Sequence, residues 1–319
     1  MADYNNEFTK ETRPNMKDVR EEERDFGFAR VYAVELKYKR QPELDRNFLY
    51  EKVERYTGKI EHPEQQETDA ARLAVWEANE VDKDNMLHFF HLNYMVQYAE
   101  GEMPAQTSLM NMDNRPASDY ETAIQQSWHW QEAAQTLHEC NYSLLLVDMM
   151  ASGLDPKSRL QLFTGVLQAL LEAAPCDAIY FRESDKLVEP KAYLAAIEEG
   201  ALLYGAMNIR FYNVEGTGSG RAEGLMDSIG LAALGIPDVQ CHYYDLDPDE
   251  VAGHLANIGY YLFNQGDVIN DGETIGFTED MRWRCEHQYA LAAPHRVVID
   301  IDPGEPYYAG RQGYIQEEN

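Results

Sequence analysis

The chain predicts an α+β fold: two sandwich-like units, each a mixed or antiparallel sheet with helices packed on one face. Three observations carry that expectation. Strand-like and helix-like segments alternate, but without the even cadence of a doubly wound nucleotide-binding sheet. At 319 residues the chain is too long for one typical core, which sets one to two domains. Its 44% apolar and 11% aromatic content, including 21 Tyr, is that of a globular protein rather than a disordered acidic tail. The expected division is a flexible arm over 1–25, an N-terminal α+β unit over 26–138 and a C-terminal α+β unit over 139–319.

The arm is expected from polar, charged sequence such as Glu21-Glu22-Glu23-Arg24. Order is expected from Phe28, with a strand over Ala29–Tyr38, where β-branched and aromatic residues roughly alternate. Pro42 sits at a first helical position. Leu44, Phe48, Leu49, Val53 and Tyr56 follow at helical spacing, and Gly58 is the stop. Strands are expected near Leu73–Trp76 and Leu87–Tyr98. Pro104, Asn111, Asn114 and Pro116 mark Met103–Ser118 as a long loop, and Asp119 caps a helix reaching His138.

The second half is plainer. Tyr142–Met149 is a continuous apolar run of buried-strand type. Asp155-Pro156 opens a helix carrying the stripe Leu160, Phe163, Val166, Leu167, Leu170 and Leu171. A strand at Ala178–Phe181, a helix from Pro190, and strands at Met207–Val214, Leu225–Leu231 and Val239–Tyr244 come next. Asp247-Pro248-Asp249-Glu250 has the pattern of a capping box. Val251, Leu255, Ile258 and Leu262 continue as a buried stripe to Gly266, and Val297–Ile301 is the last strand.

Charge is the strongest functional signal. Of a net −29, none lies in the first 59 residues, which hold 13 Lys/Arg and 13 Asp/Glu; the rest hold 14 bases against 43 acids. Ala222–Met281 carries twelve carboxylates and no Lys or Arg. Such a field repels nucleic acid and anionic lipid and attracts cationic surfaces. No run of 18 apolar residues suggests a membrane span. The opening Met1-Ala-Asp-Tyr-Asn-Asn-Glu lacks the apolar core of a secretory signal, and Cys140, Cys176, Cys241 and Cys285 are too scattered for a disulfide framework. A reducing cytoplasm is therefore expected.

Catalytic motifs are weak by comparison. Gly216-Thr-Gly-Ser-Gly220 lacks the Lys-Ser/Thr of a phosphate loop and reads as a hairpin. Cys285, His287 and His295, with Cys241 and His242, form only one loose pair where structural zinc usually shows two. Asp267 and Asp271 miss the spacing of a calcium loop. No cofactor and no metal is expected. Trp76, Trp128, Trp130 and Trp283 read as core or interface anchors.

Separated blocks also resemble a family. Tyr142-Ser-Leu-Leu-Leu-Val, Asp155-Pro-Lys-Ser-Arg-Leu, Asp227-Ser-Ile-Gly-Leu-Ala-Ala-Leu-Gly-Ile-Pro-Asp, Tyr260-Tyr-Leu-Phe-Asn-Gln-Gly-Asp and Asp271-Gly-Glu-Thr-Ile-Gly occur in order. Over residues 142–276, and more loosely to 303, they resemble the bacterial domain of unknown function 4261. The resemblance supplies no catalytic residues. It does imply kinship with proteins encoded beside polymorphic or contact-delivered toxins.

Charge and resemblance together lead to the expectation of a non-enzymatic, cytoplasmic immunity protein. Its expected partner is a cognate toxin domain with a basic surface, with no nucleic acid and no membrane involved. The expected contact residues are Asp238, Asp245, Asp247, Asp249, Asp267, Asp271, Glu273, Glu279 and Asp280, with Tyr243 and Tyr244 as aromatic anchors. The competing expectation is a metal-assisted hydrolase using the Asp/His-rich C-terminal region.

Overall fold

The computed structural model describes residues 31–59, 75–77, 86–99, 101–214, 220–276 and 281–310. The arm over 1–25 and the polar stretch from Glu61 to Asp69 lie outside them. The fold is α+β, built on two sheets.

The first sheet has seven strands in the order β2-β3-β4-β5-β1-β6-β7, all antiparallel. These are β1 (Ala33–Tyr38), β2 (Val75–Glu77), β3 (Met86–Tyr98), β4 (Gly101–Met112), β5 (Tyr142–Met149), β6 (Ala178–Phe181) and β7 (Lys186–Val188). Strands from either side of residue 138 thus pair within one sheet, and the change of sheet comes after Val188. On the inner face lie α1 (Arg46–Thr57) and α4 (Pro156–Ala173). Tyr32 meets Phe163 edge-on at 4.9 Å and Tyr50 meets Phe89 at 5.9 Å. The two helices approach closely at Gly165, where an added Cβ would lie 3.1 Å from Thr57.

The second sheet has six strands in the order β11-β12-β13-β10-β9-β8. They are β8 (Asn208–Val214), β9 (Glu223–Ile229), β10 (Asp238–Tyr244), β11 (Thr274–Gly276), β12 (Arg282–Tyr289) and β13 (Val297–Asp302). Only β10 and β13 pair in parallel; the other neighbours are antiparallel. Its core face carries α7 (Pro248–Gln265), which buries Val251, Leu255, Ile258, Gly259, Leu262 and Phe263. One continuous apolar core joins both halves.

Several expectations are corrected. The helix expected from Pro42 begins at Arg46, because the Asp45 carboxylate accepts the Phe48 amide at 3.1 Å and caps it there. Its stop holds, with Gly58 at φ +87°. The long loop expected over Met103–Ser118 is mostly strand β4. Pro104 faces Met95 beside a break in register, a place in a sheet where proline is tolerated. The helix expected from Asp119 to His138 is broken into a 3-10 turn (Ala117–Tyr120), α2 (Glu121–Gln125) and α3 (Ala133–Glu139). These short pieces lie on the outer face of the first sheet, where Tyr120, Ala123 and Leu137 cluster with Tyr180 and Leu187. Two further short helices, α5 (Pro190–Glu198) and α6 (Leu203–Ala206), lead into the second sheet.

Candidate functional site

Helix α7 organises the expected contact residues, and it divides them between its two ends. At the N-terminal end, the Asp247 carboxylate accepts the Asp249 amide at 2.9 Å and Pro248 takes the first helical position, as the sequence pattern implies. Asp247, Asp249 and Glu250 are exposed, and the described residues place no Lys or Arg in salt-bridge reach of them. Asp245 is also exposed but engaged. Arg221 donates to it at 2.7 Å and lies 4.5 Å over the Tyr244 ring. The Arg221 bond holds the Asp245 pKa below the usual carboxylate range. After β13 the chain returns beside β10, with Tyr244 N–H donating to the Tyr307 carbonyl at 2.7 Å. Tyr307 is 40% exposed and Tyr244 is half-buried, in the same stretch as the four exposed carboxylates Asp245, Asp247, Asp249 and Glu250.

At the other end, Asp267 and Asp271 hold His287. The imidazole is buried, its Nδ1 2.7 Å from Asp271 and its Nε2 3.0 Å from Asp267. The His287 backbone amide donates to Asp271 as well, at 2.8 Å. Both ring nitrogens face carboxylate oxygens. Glu273 accepts the Asn270 amide at 2.8 Å. An 18-residue helix is roughly 27 Å long. The expected surface is therefore two patches, not one.

Two of the expected residues are not surface at all. Asp238 is fully buried and accepts Ser228 Oγ at 2.8 Å, the Leu231 amide at 3.1 Å and Arg296 Nε at 3.0 Å. Burial raises its pKa, with Arg296 and the hydrogen bonds pulling the other way. Tyr243 is 2% exposed because it points to the core face of β10. Neither can meet a partner in this fold. Glu279 and Asp280 lie outside the described residues.

The polar face of the second sheet shows what the sequence reading missed. Asp227, fully buried on β9, receives Arg210 at 2.8 and 2.5 Å and Arg296 at 2.7 Å. Gln240 donates to Asp300 at 2.6 Å, and His242 faces Glu223 at 2.9 Å. Register explains the set: Arg210, Asp227, Gln240, Asp300 and Glu286 stand opposite one another across five strands. The available signal was the alternation of polar with apolar residues along β9, β10 and β13.

The other motifs resolve simply. Among the described residues no three His, Cys, Asp or Glu side chains converge as a metal-ligand set. Cys285 is buried, and His295 stacks on Tyr289 at 4.3 Å. Of the glycine-rich segment, only Gly220 is described. Trp283 is buried against His254, whereas Trp128 is 61% exposed. No helix among the described residues is long and apolar enough to cross a membrane.

Residues 227–302 match the family model of a domain of unknown function, DUF4261. The matched segment runs from Asp227 on β9 to Asp302 on β13, so it takes in α7, both of its acidic ends and most of the buried polar face. The matched segment therefore includes Asp227, Asp238, His287 and Arg296. Comparison with curated proteins and with solved structures gives no match.

Proposed function

We propose that the protein is a cytoplasmic immunity protein that binds a cognate toxin domain and covers its basic substrate-holding surface. The observation that carries the reading is the N-terminal end of α7. There Asp247, Asp249 and Glu250 are exposed at the start of the helix with no Lys or Arg in salt-bridge reach among the described residues, and exposed Tyr307 is backbone-bonded to the preceding Tyr244. Fixed carboxylates steer a positive partner at long range, and an aromatic ring supplies contact area at short range. The net charge of −29 adds a favourable field over the whole approach. Toxins that act on nucleic acid, nucleotide or NAD need a surface of the opposite sign.

The test uses the full chain and the toxin domain encoded beside its gene. Asp249→Lys with Glu250→Lys leaves the Asp247 cap in place, so loss of fold does not cloud the result. Association measured by stopped flow is expected to slow at least tenfold at low salt and to lose much of its salt dependence. A rate indifferent to both changes and to salt would overturn the placement of the contact here. Failure of the wild-type chain to co-purify with that toxin domain would overturn the function itself.

A further inference from the structure

The outer face of the first sheet holds a charge arrangement of the opposite sign. Glu35 on β1 is completely buried, and three cations converge on it. Lys37 approaches its Oε2 at 2.8 Å, while Arg115 and Arg182 reach its Oε1 at 2.6 and 2.7 Å. Tyr120 donates to Oε2 at 2.5 Å. Lys37, itself fully buried, also donates to the Tyr120 hydroxyl and to Ser143 Oγ. Burial alone would raise the Glu35 pKa, but the Lys37 and Tyr120 hydrogen bonds and the charges of Lys37 and Arg182 outweigh it and hold the pKa low.

Glu35 alone does not neutralise the three cations that contact it. The surplus sits on Arg115 and Arg182, whose side chains are 39% and 37% exposed. Their Nε and Nη2 atoms are taken by Glu35, by Tyr120 and, for Arg182, by Met112 Sδ. Neither Nη1 has a partner among the described residues. The pair is thus held from beneath by a buried carboxylate, with planar donors left facing outward, in a chain that is otherwise strongly acidic.

The surroundings are apolar along one direction. Met86, Met110 and Leu145 stand opposite one another on β3, β4 and β5, and Leu145 in turn stands opposite Glu35. All three are half-buried. Strands lie about 4.8 Å apart, so this row leads away from the arginine pair for roughly 15 Å.

The geometry points to a binding site for an oxyanion, carboxylate or phosphate, carried on an unbranched apolar chain: Arg115 and Arg182 take the head group and the Met86–Met110–Leu145 row takes the tail. The two free Nη1 groups can each donate to one oxygen of either oxyanion, and charge-assisted bonds of this kind are the strong ones. The thioethers suit a flexible tail because they repack easily. The site lies on a different sheet from the α7 surface and does not depend on it.

Isothermal titration of the full chain with acetate, inorganic phosphate, decanoate and decyl phosphate tests the assignment. Decanoate or decyl phosphate is expected to saturate one site at least tenfold more tightly than its short counterpart, and to raise the melting temperature as ligand is added. The better of the two tailed probes identifies the head group. Arg115→Gln and Arg182→Gln, made singly so that Lys37 and Tyr120 still satisfy Glu35, should each weaken that binding at least fivefold. Met110→Gln, which leaves the arginines intact, should remove the advantage of the tailed probes. The proposal fails if no probe saturates, if tailed and short probes bind alike, or if binding survives both arginine changes.

Discussion

Each half of the molecule sets an 18-residue helix opening on Asp-Pro against the inner face of a sheet, and each sheet buries charge on its other face. The two differ in how that charge is covered. On the second sheet, Asp227 and Asp238 meet Arg210 and Arg296, and the further buried acids Asp300 and Glu223 are hydrogen-bonded by Gln240 and His242, under a covering of chain from 290 to 310. On the first, Glu35 faces three cations and two of them reach solvent. A covered network whose acids are all hydrogen-bonded holds the sheet together. One at the surface leaves capacity for something else. The difference that matters is exposure: the cations of the first sheet reach solvent, and those of the second do not.

That contrast can be attacked by mutation. The largest effect is expected at Asp227, whose loss strands the buried Arg210 guanidinium and takes one of two carboxylates from Arg296. Asp227→Ala should cost about 3–5 kcal/mol in urea unfolding, and retention of near wild-type stability would show the network to be dispensable. A smaller, pH-dependent effect is expected on the first sheet at Glu183, which accepts the Ala33 amide at 3.2 Å. Burial pushes its pKa up to about 7. A raised carboxyl favours the folded state below its unfolded value near 4.5, and that contribution is lost as pH rises through about 7. Glu183→Gln should therefore stabilise the fold at pH 8, by on the order of 1–2 kcal/mol, and change little at pH 4. Equal melting shifts at both pH values would remove Glu183 from the comparison. The smallest effect is expected from the matched caps: Asp155→Ala and Asp247→Ala should each cost about 1 kcal/mol, since each side chain accepts an amide of its helix's first turn at 3.0 and 2.9 Å.

How much of this could be read in advance depends on range. Helices α4 and α7 were legible because their caps, first-position prolines and apolar stripes are local. So were β5, β8, β9, β10 and β13, as apolar or alternating runs. Strand β4 was hidden by Pro104 and its asparagines, which look like loop sequence until the break in register opposite His91–Met95 is known. Strand β12 was overlooked although Arg282-Trp-Arg-Cys-Glu-His-Gln-Tyr alternates as a half-buried strand should. The acidic ends of α7 were found from composition, but their separation needed the helix length. The Glu35 cluster was not legible, since Glu35 and Arg182 are 147 residues apart and no local pattern ties them.

The position of β1 has a consequence for biosynthesis. It is the first strand of the described chain, yet its neighbours are β5 and β6, which end at Met149 and Phe181. A nascent polypeptide emerging from the ribosome must hold Val34 and Leu36 unpaired while more than a hundred residues are added. Distant pairing of this kind slows closure of a sheet. The amino-terminal strand therefore waits longest for its place, and a truncation before Phe181 would leave it with an open edge and a tendency to aggregate.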